Sequence, residues 1–227
     1  MKKKSTAKGK TRIMIVDDHP MMREGLRQLI SSEPDLSVCS EVENAHQCLE
    51  SIASSPPDLA LVDITLPGKN GLELIKDIQA MHPELPILVI SMHDETLYAE
   101  RVLRAGGRGY IMKQEGGKKL MEAIRQVISG QIYVSEKISA KILEIFSGRR
   151  SGATTTPVEH LTDREFEVFQ LIGQGRSTRQ IAEQLHLSVK TVEVHRVNIK
   201  GKLKLATASE LIRYAVRWIE SPTTGSV

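Results

Sequence analysis

The sequence predicts two domains of different class. The first, over residues 12–130, is an α/β domain built on a doubly wound parallel sheet. The second, over 158–221, is an all-α domain of four helices. Three observations predict this. Short apolar runs alternate with stretches of helical period through the first half, the pattern of strand–helix–strand units around a parallel sheet. Beyond residue 157 only helical periods remain. Between the two halves, residues 147–157 form a Ser-, Gly- and Thr-rich stretch too polar to bury a core.

The elements follow in order. Arg12 to Val16 is apolar and runs straight into Asp17 and Asp18, as a buried parallel strand does when its carboxyl end reaches a site. Pro20 fits the first turn of a helix in which Met22, Leu26, Leu29 and Ile30 recur at helical spacing. Pro34 and Asp35 break that pattern, Val38 to Val42 alternates like a strand, and Ala45 to Ile52 forms a helix. After Pro56 and Pro57, a second clear buried strand, Leu59 to Val62, ends at Asp63. Leu66 to Gly71 is a turn cluster and Leu72 to Met81 a helix. Ile87 to Ile90 is a strand ending at Ser91, and Tyr98 to Ala105 is a helix closed by Gly106 and Gly107. Tyr110 to Met112 is a short strand ending at Lys113. The helix over 118–128 carries Leu120, Met121, Ile124, Val127 and Ile128 on its apolar side. Five such units give a (βα)5, flavodoxin-like domain. Residues 131–157 form a linker containing one helix over 136–146, marked by Ile138, Ile142, Leu143 and Ile145.

Composition excludes several classes. With aromatic residues at 4%, binding nucleic acid by stacking bases on exposed rings is excluded as the main mode. Cys39 and Cys48 are the two cysteines, without a CxxC pair, which argues against a disulfide scaffold or a zinc site and fits a reducing cytoplasm. His19, His46, His82 and His93 show no metal-ligand spacing and read as surface or loop residues. No apolar region follows the lysines of residues 1–11, so that stretch reads as a disordered basic tail rather than a signal peptide, and 222–227 as a second tail. No apolar run is long enough to span a bilayer, so neither a membrane partner nor a membrane location is expected. Residues 11–125 hold 12 basic against 18 acidic side chains, whereas 158–227 hold 10 against 8, which points to domains with different partners.

Asp17, Asp18, Asp63, Ser91 and Lys113 all stand where strands end. In an open parallel sheet, ligands bind outside the carboxyl ends of the strands. Three carboxylates, a hydroxyl and an ammonium gathered there suit phosphoryl transfer to a carboxylate, since an Asp can act as a covalent nucleophile. Hard oxygen ligands suit Mg²⁺, which can lie between carboxylate and phosphate. Lys113 supplies a point charge and Ser91 a hydrogen-bond donor for the phosphoryl oxygens.

Together with Leu66, Pro67, Gly68, Gly71 and Tyr110, these residues resemble the receiver domain of bacterial response regulators over roughly 11–130. The resemblance implies that Asp63 accepts phosphate from a sensor histidine kinase with Mg²⁺ as the required cofactor. It implies that Asp18 ligates the metal directly, Asp17 through water, and Asp63 and the Thr65 backbone carbonyl complete the set. Ser91 and Tyr110 would be the switch pair, the hydroxyl moving toward the phosphate and the ring turning inward. The sequence departs from the common pattern at Gln114, where many receivers carry Pro. It departs again at Met92, where many carry a small residue; Met92 is expected to narrow access to the acyl phosphate and slow its hydrolysis.

In the second half, Thr162 and Glu165 form a capping box for a helix carrying Phe166, Val168, Phe169 and Ile172, closed by Gly173 and Gly175. Ser177 caps a second helix with Ile181, Ala182 and Leu185 facing inward, and His186 and Leu187 form a short turn. Ser188 caps a third, running to about Leu203, with Val189, Val192, Ile199 and Leu203 expected to pack. A fourth runs from about Ser209 to Ile219. Two short helices joined by a tight turn make a helix-turn-helix. The third helix region carries Lys190, Thr191, Glu193, His195, Arg196, Asn198, Lys200, Lys202 and Lys204, residues suited to phosphates and base edges.

The string Leu161, Thr162, Arg164, Glu165, Gly175, Ile181, Ala182, Leu185, Leu187, Ser188, Thr191, Val192, His195, Ile199, Lys202 and Leu203 resembles the LuxR/FixJ/NarL-type DNA-binding domain. The resemblance implies that the third helix enters the major groove of double-stranded DNA. Base contacts fall at Glu193, Val194 and Val197, and phosphate contacts at Lys190, Thr191, His195, Arg196 and Lys200, with Lys204 beside them. Glu193 could accept from a cytosine amino group. The last helix has an apolar stripe (Leu211, Ile212, Ala215, Val216, Ile219) that either completes the domain's core or, as in this family, pairs two DNA-bound domains.

The expected function is a two-component transcription factor in which phosphate on Asp63 releases and dimerises the reader domain. Two other classes share part of the pattern. A phosphatase of the haloacid dehalogenase type needs a second Asp two residues after the nucleophile, where this chain has Thr65. A constitutive DNA-binding or interaction module with an inert first domain would not need the full acidic set. A ligand-binding quorum sensor with the same reader would not carry a receiver pattern in its first half.

Overall fold

The computed structural model describes residues 9–146 and 157–220. Residues 1–8 of the expected basic tail, the tail 222–227 and most of the polar stretch 147–157 lie outside the described residues, and the tail's last residue, Thr11, instead begins the first strand. The chain divides into two compact units, Met1–Ser135 and Glu136–Val227, with the division inside the expected linker.

The first unit alternates strand and helix: β1 (Thr11–Val16), α1 (Pro20–Ser31), β2 (Leu36–Val42), α2 (Ala45–Ser54), β3 (Leu59–Val62), α3 (Gly71–Met81), β4 (Ile87–Ser91), α4 (Glu95–Arg104), β5 (Gly109–Met112) and α5 (Gly117–Ile128). The strands form one parallel sheet in the order β2-β1-β3-β4-β5. Strands β3 and β4 are buried along their whole length because helices cover both faces, which is why they read as continuous apolar runs. Alternate residues Ile13, Ile15, Leu59, Leu61, Leu88, Ile90 and Ile111 pack with Leu26 and Ile30 of α1 and with Leu120, Ala123, Ile124 and Val127 of α5. The opposite face carries Met14, whose sulfur lies 3.6 Å from Cys48 Sγ of α2.

Helix α4 starts at Glu95, three residues before the sequence expectation. The cause is local: Asp94 caps it, its carboxylate accepting from Thr96 N at 2.8 Å. The chain after α5 returns to the sheet edge. Tyr110 N donates to Tyr133 O at 2.9 Å and Tyr133 N to Arg108 O at 3.0 Å, so Tyr133 runs parallel beside Gly109.

Register places the functional ends level. Val16 pairs with Val62, Val62 with Val89, and Ser91 with Met112, so Asp17, Asp63, Ser91 and Lys113 emerge along one edge. The turn after β3 is held by Gly71, whose N donates to Ile64 O at 2.8 Å. A Cβ there would stand 2.1 Å from the Asp63 carbonyl oxygen. Only glycine lets α3 begin so close to the strand end.

The second unit contains α6 (Glu136–Phe146), a single 3-10 turn (Pro157–His160), α7 (Asp163–Gly173), α8 (Thr178–Gln184), α9 (Val189–Lys202) and α10 (Ala208–Glu220). Helix α7 opens with the expected capping box of Thr162 and Glu165, and α8 with a second one, Ser177 with Gln180. Phe166 and Phe169 of α7 meet Trp218 edge-on at centroid distances of 5.6 and 5.5 Å. Gly173 lets α10 approach, since a Cβ there would lie 2.6 Å from Ala215 O. Val192, Ile199 and Leu203 of the α9 region are buried as expected, but Val189 is 49% exposed. It occupies the helix's first position, a turn before the packed stripe begins. The stripe of α10 divides: Leu211 and Ala215 are buried, while Ile212 and Ile219 remain exposed.

The Gly71 contact gives a prediction. Gly71→Ala forces backbone against backbone and should lower the stability of the first unit by about 1–3 kcal/mol, read as a reduced urea midpoint. An unchanged midpoint would contradict the close approach.

Candidate functional site

The strand-end site is a group of buried charges. Lys113 Nζ lies 2.6 Å from Asp17 Oδ2 and 2.7 Å from Asp63 Oδ2, with all three side chains at most 3% exposed. Asp63 is fixed by the strand and by its own turn, since its N donates to Val16 O at 2.9 Å and Thr65 N reaches its Oδ1 at 3.3 Å. Asp17 holds the start of α1, its Oδ1 accepting from His19 N at 2.8 Å, while Arg23 donates to its backbone oxygen at 2.5 Å.

Burial pushes the Asp63 carboxyl up to about 6; Lys113 works against that shift, and Asp17 adds to it. Burial pulls the Lys113 ammonium down, but Asp63 and Asp17 outweigh it and leave it above its ordinary value. The group therefore holds more negative than positive charge, a state that favours a further cation.

Asp17, Asp18, His19 and Asp63 each offer one ligand atom, all within 4.8 Å of one another. Carboxylate oxygens gathered this way, with an ammonium already drawn between two of them, fit a hard divalent cation such as Mg²⁺. His19 belongs to this group, although its spacing gave no metal signal: its Nδ1 is 2.7 Å from Asp18 Oδ1. The neighbouring residue supplies the carboxylate, so no distant spacing could reveal it.

Ser91 and Tyr110 are also brought to this edge. Lys113 N donates to Ser91 O at 2.8 Å. Tyr110 is 1% exposed, with its ring already inward and its hydroxyl donating to His93 O at 2.7 Å. Burial raises the Tyr110 hydroxyl pKa, and a hydrogen bond with Ser91 opposes that shift. Met92 lies on the loop after β4 and is 60% exposed.

His93, expected at the surface or in a loop, lies in the loop after β4 but is half-buried and engaged there. Its N donates to Ser91 Oγ at 3.3 Å, and its Nε2 pairs with Thr65 Oγ1 at 3.1 Å. Its ring stacks on buried Tyr98 at 4.8 Å. It thus joins the loop after β3 to the loop after β4. The sequence carried no signal for this, because Thr65 and Tyr98 reach His93 only through the tertiary fold.

The second candidate surface is α9. Ser188 caps it, its hydroxyl accepting from Thr191 N at 3.0 Å and lying 2.7 Å from the Thr191 hydroxyl. Lys190, Glu193, Val194 and Val197 are exposed, Thr191, His195, Arg196 and Lys200 are half-buried, and Lys204 is exposed just beyond the helix in a left-handed conformation with φ 55°. Lys202, grouped with these from the sequence, is instead bound to Glu165 at 2.6 Å. Glu193 is engaged too: Thr178 Oγ1 of α8 donates to its Oε1 at 2.9 Å, and Arg196 Nε lies 3.9 Å from its Oε2.

Residues 13–125 match the response regulator receiver domain, and residues 159–215 match the bacterial regulatory proteins of the LuxR family. The oxygen regulatory protein NreC of Staphylococcus aureus is 35% identical over 210 residues, covering 91% of this chain and 97% of its own. The crystal structure of a LuxR-family two-component response regulator from Aurantimonas sp. SI85-9A1 is 33% identical with a TM-score of 0.57, covering 61% of this chain and 99% of its own. RcsB from Salmonella enterica serovar Typhimurium, bound to promoter rprA in the presence of phosphomimetic BeF3−, shares the fold with a TM-score of 0.60 at 24% identity, covering 92% of this chain and 99% of its own.

The shifted groups predict opposed acid responses in the metal-free protein. Burial, then Lys113, lowers His93 to about 4, whereas the unfolded ring titrates near its ordinary value of 6.5. The unfolded state binds more protons between those values, so His93 costs stability as pH falls from 6.5 to 4. Asp63, raised to about 6 from 3.8, gives the opposite slope as pH falls from 6 to 3.8. His93→Gln should therefore flatten the fall in Tm across this window, and Asp63→Asn should steepen it. Equal slopes in all three proteins would contradict the assignment.

Proposed function

Since the chain belongs to the NarL/FixJ-type response regulators, which join a receiver domain to a LuxR-type DNA-binding domain, we propose that phosphate on Asp63 controls DNA binding by α9. The observation that carries this reading is the buried group of Asp17, Asp63 and Lys113 at the sheet edge, beside Ser91 and Tyr110.

The donor is the phosphohistidine of a sensor histidine kinase. An Asp63 oxygen attacks phosphorus, the P–N bond of the ring-protonated phosphohistidine breaks, and the imidazole leaves neutral, keeping the bonding pair and its ring proton. Asp17, Asp18, Asp63 and the Thr65 carbonyl would hold Mg²⁺, which would supply the positive charge that lets an anionic phosphoryl group approach a carboxylate. Lys113 neutralises one phosphoryl oxygen and the Ser91 hydroxyl donates to another. Asp63 then carries close to two negative charges. Lys113 is drawn to them, and the Ser91 loop moves with its hydroxyl.

The Ser91 hydroxyl also accepts from His93 N, the His93 carbonyl accepts from the Tyr110 hydroxyl, and Tyr110 N donates to Tyr133 O at the start of the linker. The change can therefore leave the site through β5 and the segment after α5. It shifts the population toward a released, dimerising form whose α9 enters the major groove. Among the described residues no helix is long and apolar enough to cross a membrane, and action on DNA in the cytoplasm fits this reading.

Incubation with a small phosphodonor and Mg²⁺ should add the mass of one phosphoryl group to the full chain, located on Asp63. Asp63→Asn should take up none. Phosphate on another residue, or none in the wild type, removes the proposal. Met92→Ala should shorten the phosphate lifetime severalfold by opening the mouth of the site; an unchanged lifetime denies Met92 that role. If Lys200 contacts a phosphate, Lys200→Ala should lower the slope of log affinity against log salt by about 0.9. An unchanged slope would place Lys200 outside the interface.

A further inference from the structure

We infer that α9 reads thymine through its 5-methyl group, with Val194 and Val197 as the specificity-determining residues and Glu193 held back by α8. The inference rests on the reading of α9 as the DNA-entering helix. Val194 and Val197 are 51% and 60% exposed on a helix otherwise rich in charge and hydrogen-bonding groups. Three residues apart, they lie side by side on one face. Neither side chain can donate or accept a hydrogen bond. On the major-groove edges of the base pairs, the apolar group available to such side chains is the thymine C5 methyl. Lys190, Lys200 and Lys204 flank this face and suit a polyanion rather than an apolar protein surface.

Glu193 is the carboxylate on this face that could accept from a cytosine amino group. Its carboxylate is already engaged, with one oxygen taking the Thr178 hydroxyl at 2.9 Å and the other facing Arg196 Nε at 3.9 Å. It joins α8 to α9 across the turn and so fixes the angle of the reader helix. Glu193 is a positioning residue here, and base discrimination falls to the two valines.

The test uses the full chain treated with phosphodonor. A duplex half-site is selected from random DNA, and each thymine in it is replaced in turn by deoxyuridine, which lacks only the methyl. At two positions affinity should fall about fourfold, the equivalent of burying one methyl group at ~0.8 kcal/mol. Val194→Ala should abolish the effect at one of these positions and Val197→Ala at the other. Glu193→Gln should leave both effects in place. Selected DNA that binds equally with uracil at every position overturns the inference, and so do thymine effects that survive both valine substitutions. In either case the reader assignment stands. If no duplex is enriched at all, the reader assignment falls and this inference with it.

Discussion

Two carboxylates and one ammonium are buried together where the strands of the first unit end, and they do not balance. Asp17 and Asp63 share Lys113, and Asp18 with His19 stands beside them. Desolvated charge is costly unless it is paired, and breaking such a group by removing one member leaves another exposed to that cost. The surrounding architecture keeps the group in place. The parallel register brings the strand ends level, Gly71 gives the Asp63 carbonyl room, and the Asp17 carboxylate is committed to the start of α1. A rigid sheet edge with surplus negative charge is a place where adding a cation and then a phosphoryl group changes the balance abruptly.

The contacts around that group run outward in one direction. His93 binds the Ser91 hydroxyl through its N–H, the Tyr110 hydroxyl through its carbonyl, and Thr65 through its ring. Tyr110 in turn holds Tyr133 through its backbone, and Ser135 Oγ donates to Glu95 Oε1 at 2.6 Å, at the start of α4. The first residues after α5 are thus bonded both to the switch candidate and to the helix that follows Ser91. In the second unit a comparable economy holds α9. Cap bonds fix its first turn, Glu193 ties it to α8, and Lys202 ties its end to Glu165 of α7.

The sequence made the fold class legible because each central strand is buried on both faces and stops at a polar residue. An apolar run ending at Asp63 or Ser91 carries its own boundary. The same stops located the residues that the sheet gathers. The edges were less legible. Asp94 was a readable cap for α4, but the apolar period starts later and drew that boundary inward, whereas Ser177 was read as the cap of α8 and caps it. Val189 has the right residue type for packing and the wrong position along α9. His93, the Glu193–Thr178 contact and the Lys202–Glu165 pair had no local signal, since partners 15 to 37 residues apart meet only in the folded unit.

The central claim is that the state of the Asp63 carboxylate sets the affinity of α9 for DNA. Fluorescence anisotropy with a selected labelled duplex, at one fixed salt concentration, measures that coupling when the full chain is compared before and after phosphodonor treatment. The account predicts tighter binding after treatment, by about 5–150-fold as is usual for coupled sites, and no response from Asp63→Asn. Equal affinity with and without phosphate would contradict it, as would an Asp63→Asn protein that binds as tightly as the phosphorylated wild type.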